Sequence, residues 1–415
     1  MPNPDGTHTH VRPRTAVLTR GFDPHLSFGS ARPAVFRSST YVFASPEEAE
    51  RAFSIMAGRV QPEDGERPDL IYSRFSHPNA EILEDQIVPL EPGAHAAAVF
   101  NSGMAAIMTA FFTMARPNTS IVYTTPLYGG TTGLIHTFLE PFGVHGIAVP
   151  GGDMDAISSA IQAADDISIV CLETPANPTL VMTDIRRVAE AAHSRRDRPI
   201  VMVDNTFLGP TFQHPLMLGA DLALYSGTKY LSGMSDMVAG VALSADPQLM
   251  RRIVSRRSMF GNILQPDECW MLDGRLPTVA LRMNRQSKNA QRIAEALDGH
   301  PKIQRVVYPT LFTDAAQRRI FEEQCEYPGG IFSLDFDGRL AAFDFLRQLK
   351  IGRNAVSLGG VETLVCHPRS TTHSGMSARE LDESGIGEGL VRVSVGIEDW
   401  RDVLADFEQA LEHVK

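Results

Sequence analysis

Cysteine, tryptophan and positive charge are all scarce in this chain. Four cysteines in 415 residues, Cys171, Cys269, Cys325 and Cys366, are too scattered for a metal cluster or a disulfide framework. They read as reduced thiols of a protein expected in the cytoplasm. The thirteen histidines show no metal-ligand spacing, and His8 and His10 are expected in a flexible tail. Lysine and arginine number 38 against 49 acids, a net charge of −11, which argues against a nucleic-acid backbone as partner while leaving room for a local anion site. No apolar run is long enough to span a bilayer, and the start carries no apolar signal core. What remains is globular: 43% hydrophobic and 21% charged residues, in a chain longer than one ordinary domain.

Residues 1–75, rich in Pro, Gly, Ser and Arg, read as an extended arm with a short helix near 45–57 and a polar surface loop over 58–68. From residue 76 to 276 short apolar strands alternate with helical patterns. Strands are expected at 97–100, 120–123, 167–173 and 200–204, and helices at 104–115 and 184–196. Such alternation predicts an α/β domain with a mostly parallel sheet. Past Pro277 the pattern changes to a long helix over 279–297 and a smaller α+β part, 277–415, with strands near 331–336 and 390–395 and a terminal helix from Asp399.

The stretch Ala223-Leu224-Tyr225-Ser226-Gly227-Thr228-Lys229 organises the rest. A lysine at the end of a buried strand is costly unless its charge is removed or paired, and an imine to an aldehyde removes it. In extended chain, the Ser226 and Thr228 hydroxyls face one way, so both can hold a phosphate while Lys229 holds the aldehyde of the same molecule. That combination fits pyridoxal 5′-phosphate. By itself such a tetrapeptide is more often a strand end with a solvated lysine. Asp204 closes the run Ile200-Val201-Met202-Val203, at the sheet edge where α/β proteins present functional groups. An acid there can keep a pyridine nitrogen protonated; it can also simply cap a loop or helix.

Four further places carry chemistry. Ser102-Gly103-Met104 is a strand-to-helix corner whose free amides suit an anion, or an ordinary serine cap. Tyr128 beside Gly129 and Gly130 can lie on a planar ring with its hydroxyl free for proton transfer, or pack as a loop tyrosine. Asn177, between Pro175 and Pro178, is positioned to bond a cofactor or substrate oxygen, or to make a plain turn. Alternation in Leu390-Val391-Arg392-Val393-Ser394-Val395 sets Arg392 opposite the valines, where a guanidinium suits a carboxylate and also suits solvent.

Taken in order, Tyr72-Ser73-Arg74, Ser102-Gly103-Met104, Tyr128-Gly129-Gly130, Glu173-Thr174-Pro175-Ala176-Asn177-Pro178, Val203-Asp204-Asn205-Thr206 and Ser226-Gly227-Thr228-Lys229 make the chain resemble the Cys/Met-metabolism family of pyridoxal-phosphate enzymes, from about Thr19 to the end. The resemblance implies the aspartate-aminotransferase-like (type I) fold. It implies Lys229 as imine lysine and proton shuttle, and Asp204 as partner of the ring nitrogen. Phosphate falls to Gly103, Met104, Ser226 and Thr228, and ring stacking and leaving-group protonation to Tyr128. Asn177, Ser357 and Arg392 orient an amino-acid substrate. Tyr72 and Arg74 reach a neighbouring subunit's phosphate, which makes a homodimer the active unit, commonly paired into a homotetramer.

Within that family Val356 stands where cystathionine-handling members often place glutamate, and the runs Val356–Gly360 and Thr371–Ser374 look closer to methionine γ-lyase. The expected reaction is γ-elimination from methionine. Exchange on O-acetyl- or O-succinyl-homoserine and cystathionine γ-cleavage are the alternatives, and an inactive binding homologue is a remote one. Gly130 replaces a cysteine frequent in methionine γ-lyases, Met234 replaces a frequent histidine, and Gly274-Arg275-Leu276-Pro277-Thr278 replaces a frequent Arg-Gly-Leu-Lys-Thr.

Overall fold

Seven strands build the larger sheet in a computed structural model that describes residues 11–415 apart from 64, 65, 67 and 68. His8 and His10, and part of the 58–68 loop, lie outside the described residues. The strands are β1 (Ala96–Phe100), β2 (Ser120–Thr125), β3 (His145–Pro150), β4 (Ile167–Glu173), β5 (Ile200–Asp204), β6 (Leu222–Ser226) and β7 (Gly240–Ser244). Their order is β1-β7-β6-β5-β4-β2-β3. Pairing is parallel from β3 through β6, and β7 runs against both its neighbours. The mostly parallel sheet is therefore present, with one reversed strand.

Burial on both faces explains the unbroken apolar runs. Every residue of β4 is buried. Ile169 and Cys171 pack with the helix Gly103–Met114, while Val170 and Leu172 pack with the helices Met154–Ala163 and Ile185–His193 on the other side. A strand sandwiched this way needs no polar face. The first of these helices starts at an N-cap, Ser102, whose Oγ accepts from the Ala105 amide at 3.0 Å.

The smaller sheet contains β8 (Arg305–Val307), β9 (Ile331–Asp335), β10 (Arg353–Asn354), β11 (Leu364–Cys366) and β12 (Leu390–Ser394) in the order β10-β11-β12-β9-β8. Helix Val279–Leu297 joins the two parts. Its Val279 and Met283 enter the core beside the large sheet, and Ala290, Ile293 and Leu297 enter the core of the small one. Nineteen residues span about 28 Å at 1.5 Å each, long enough to brace both. Val391, Val393 and Val395 fill the small core, so the opposite face of β12, with Arg392 and Ser394, is turned away from it.

Candidate active site

Three neighbouring strand ends of the large sheet, together with residues 356–358 and Arg392 of β12, line a cavity of about 310 Å³. In the parallel register Glu173 of β4 lies beside Asp204 of β5, and Asp204 beside Leu224 of β6, two residues before Ser226. Ser102, Gly103 and Met104 close one end, and Val356, Ser357, Leu358 and Arg392 the other, with Tyr128 and Lys229 also on the wall. Ten of the twelve residues singled out in the sequence thus meet at one place. Tyr72 and Arg74 do not: Arg74 donates to the Ser258 carbonyl at 2.6 Å and lies over the Phe75 ring, outside this chain's cavity.

The anion end is built by close approach. A side chain at Gly103 would place its Cβ 3.1 Å from Ser226 Cβ, so glycine lets the helix start abut the strand end. β6 stops at Ser226 and Thr228 lies in the turn beyond, where its Oγ1 accepts from the Ala239 amide at 3.0 Å. The expectation that both hydroxyls project from one extended strand is corrected here, although both residues line the cavity. At the other pole Thr206 donates to Asp204 Oδ1 from its amide (3.1 Å) and hydroxyl (2.6 Å), and its hydroxyl accepts from the Ser226 amide at 2.9 Å. Asp204 Oδ2 has no partner among the described residues.

Lys229 Nζ donates to Ser357 Oγ at 2.7 Å. Burial first, and the Arg392 charge second, push its amine down to about 8, with Asp204 acting in the opposite sense. Ser357 itself has φ +85, a left-handed conformation that costs a non-glycine residue about 1–3 kcal/mol. Its carbonyl accepts from Arg392 Nη2 at 2.6 Å. Arg392 is 2% exposed, which decides against a surface arginine. Its Nη1 donates to Asn177 Oδ1 at 3.0 Å, and its Nε is buried without a partner. A buried guanidinium with an unspent N–H is poised for an anionic ligand.

Two contributors carried no role in the sequence reading. Thr206, two residues past Asp204, orients its carboxylate. Glu173, read only as a strand end, is buried beneath Tyr128 and Asn177. Its available signal was its position: an acid directly after the apolar run Ile169–Leu172, like Asp204 next door. Of the departures, Gly130 has a visible consequence, because a Cβ there would come 2.7 Å from Tyr128 Cε1 and 2.9 Å from Met104 Sδ.

Pyridoxal 5′-phosphate fits these residues: backbone amides and hydroxyls at one pole, a free carboxylate oxygen at the other, and a depressed amine between. The family model for Cys/Met metabolism PLP-dependent enzymes matches residues 14–412. The chain belongs to that family. It is a pyridoxal-phosphate-dependent enzyme acting on a small amino-acid substrate. It is 37% identical to an L-methionine γ-lyase of Pseudomonas deceptionensis over 96% of each chain. It is also 36% identical to a cystathionine γ-lyase of Bacillus subtilis (strain 168), over 97% of this chain and all of the relative. Among solved structures, a cystathionine γ-synthase from Xanthomonas oryzae pv. oryzae in complex with cystathionine superposes with TM-score 0.88 at 31% identity, covering 98% of this chain and 99% of the other. No helix among the described residues is long and apolar enough to cross a membrane.

Proposed function

We propose that this enzyme cleaves methionine by γ-elimination, giving methanethiol, 2-oxobutyrate and ammonia with uptake of one water. The observation that carries the reading is the charge inventory of the cavity. Its charged lining residues are Glu173, Asp204, Lys229 and Arg392. The ring nitrogen takes Asp204, the aldehyde takes Lys229, and the substrate carboxylate takes Arg392 with Asn177. Glu173 is occupied by two backbone amides. None is left for the second ammonium and carboxylate of cystathionine, whereas Val356 and Val238 offer apolar surface to a methylthio group.

When bound, pyridoxal 5′-phosphate supplies an aldehyde that captures an amine and a ring that takes up the electron pair left by a departing proton. The residues supply the rest. Asp204, oriented by Thr206, holds a proton at the ring nitrogen. Lys229 would remove the α proton of the substrate, deliver it to the former aldehyde carbon of the cofactor and, neutral again, take one from Cβ, with Ser357 keeping Nζ from swinging away between the transfers. Tyr128 donates its phenolic proton to the departing sulfur. Product analysis on methionine without added thiol tests this: 2-oxobutyrate and methanethiol in equal amounts are expected. Turnover only when an O-acyl homoserine and a thiol are supplied together would replace the reading by γ-exchange.

The active unit is a homodimer, commonly paired into a tetramer, in a reducing compartment such as the cytoplasm. Four free cysteines suit that compartment. The arm supports the dimer: Phe28 and Val42 are almost wholly exposed, and Tyr72 and Arg74 lie outside their own cavity. Mixing inactive Arg74→Ala with inactive Lys229→Ala subunits should then restore up to about a quarter of the wild-type sites, if subunits exchange at random. No recovery in mixed dimers would contradict the shared site.

A further inference from the structure

Glu173 ends β4 with a buried carboxylate that has two separate tasks in hydrogen-bonding terms. Oε2 accepts from the Tyr128 amide at 2.8 Å and Oε1 from the Asn177 amide at 2.8 Å. Tyr128 is the N-cap of the short helix Gly129–Gly133 and makes no side-chain capping bond there. Asn177 in turn passes the connection on through Oδ1 to Arg392. One side chain therefore fixes the mouth of the leaving-group side and the anchor of the carboxylate side, 45 and 4 residues away respectively.

We infer that Glu173 is a positioning residue, a brace that sets Tyr128 and Asn177 relative to each other so that substrate is held at both ends at once. The inference rests on the roles given above to Tyr128, Asn177 and Arg392. The residue is well chosen for the task. A carboxylate accepts at both oxygens, whereas glutamine, of the same shape, would turn an NH₂ toward one of the two amides. Asp204 stands beside it in register; burial first and that neighbouring acid second push the Glu173 carboxyl up to about 8, while the Asn177 and Tyr128 amides and the Arg392 charge favour the ionised form that accepts at both oxygens. Two amide donors meet an acid that would otherwise be a costly guest in this position.

Glu173→Gln should leave cofactor content close to wild type and lower kcat/KM by about a hundredfold, the scale of a misplaced reacting group. Glu173→Asp keeps the carboxyl group but falls short of spanning both amides, so it should lose a similar factor. Norleucine, which has no leaving group, reads the carboxylate side without turnover, and its Kd should rise about tenfold in both variants, as for one lost hydrogen bond. In a Tyr128→Phe background the kcat loss from Glu173→Gln should shrink, because part of its effect runs through Tyr128. An aspartate variant with wild-type kcat/KM and norleucine affinity would overturn the brace. So would losses strictly additive with Tyr128→Phe and no change in norleucine binding. Failure of wild type to cleave methionine would be a separate outcome: the same series can be run on whichever amino acid it does turn over.

Discussion

Lys229→Ala should lose at least about 10⁴ of kcat, the upper range for one acid–base group, because the same Nζ also carries the covalent link to the cofactor. The structure explains why this lysine is ready for both tasks. At about 8 its amine is neutral in half the molecules at pH 8, against about 0.4% for an ordinary lysine near 10.4. Uptake of pyridoxal phosphate by cofactor-free enzyme should therefore accelerate as pH rises toward 8 and level off above it, since only the neutral amine attacks. Borohydride reduction followed by peptide mass analysis checks the link directly. The cofactor should be fixed to the Lys229 peptide in wild type and to no peptide in the variant. A variant that keeps substantial turnover, or a wild type labelled at another lysine, would remove Lys229 from the centre of the site.

Arg392→Ala should raise KM for methionine steeply, with kcat/KM lower by about two to three orders of magnitude. A charge-assisted hydrogen bond contributes about 1.5–3 kcal/mol, and a bidentate carboxylate contact contains two. The truncation also strips donors from Asn177 Oδ1 and the Ser357 carbonyl, and Ser357 is the residue held in a left-handed conformation beside Lys229. Some of the loss should therefore appear in kcat. Arg392→Lys restores the charge without the planar fork and should recover only part. Steady-state kinetics on methionine separates the two components; unchanged kcat/KM would show that the carboxylate is held elsewhere.

Much of this was legible in the chain because the large sheet is buried on both faces. β4, apart from Ser168, and β5 announce themselves as apolar runs ending in an acid, and the helix over 279–297 has the period of its two buried faces. β3 gave no such signal, since only Val149 within it is buried. The reversal of β7 was invisible as well, because an apolar run has no direction. In the site, Lys229, Asp204 and the Ser102–Met104 corner stood out through local chemistry at strand ends. The contacts that give them work did not. Lys229 meets Ser357 across 128 residues, and Arg392 meets Asn177 across 215. Only the docking of the small sheet on the large one creates those pairs. Glu173 was overlooked for a related reason: its partners are backbone amides, which no side-chain pattern records.

The most direct test compares kcat/KM for methionine and for cystathionine on the same cofactor-loaded enzyme. A cavity whose four charged groups are all engaged at the ring and the amino-acid end, and whose remaining wall is apolar, should favour methionine by at least about tenfold, the equivalent of one unpaired polar contact. A preference for cystathionine of that size would contradict the account, because a second charged end would then be finding partners that this cavity does not offer.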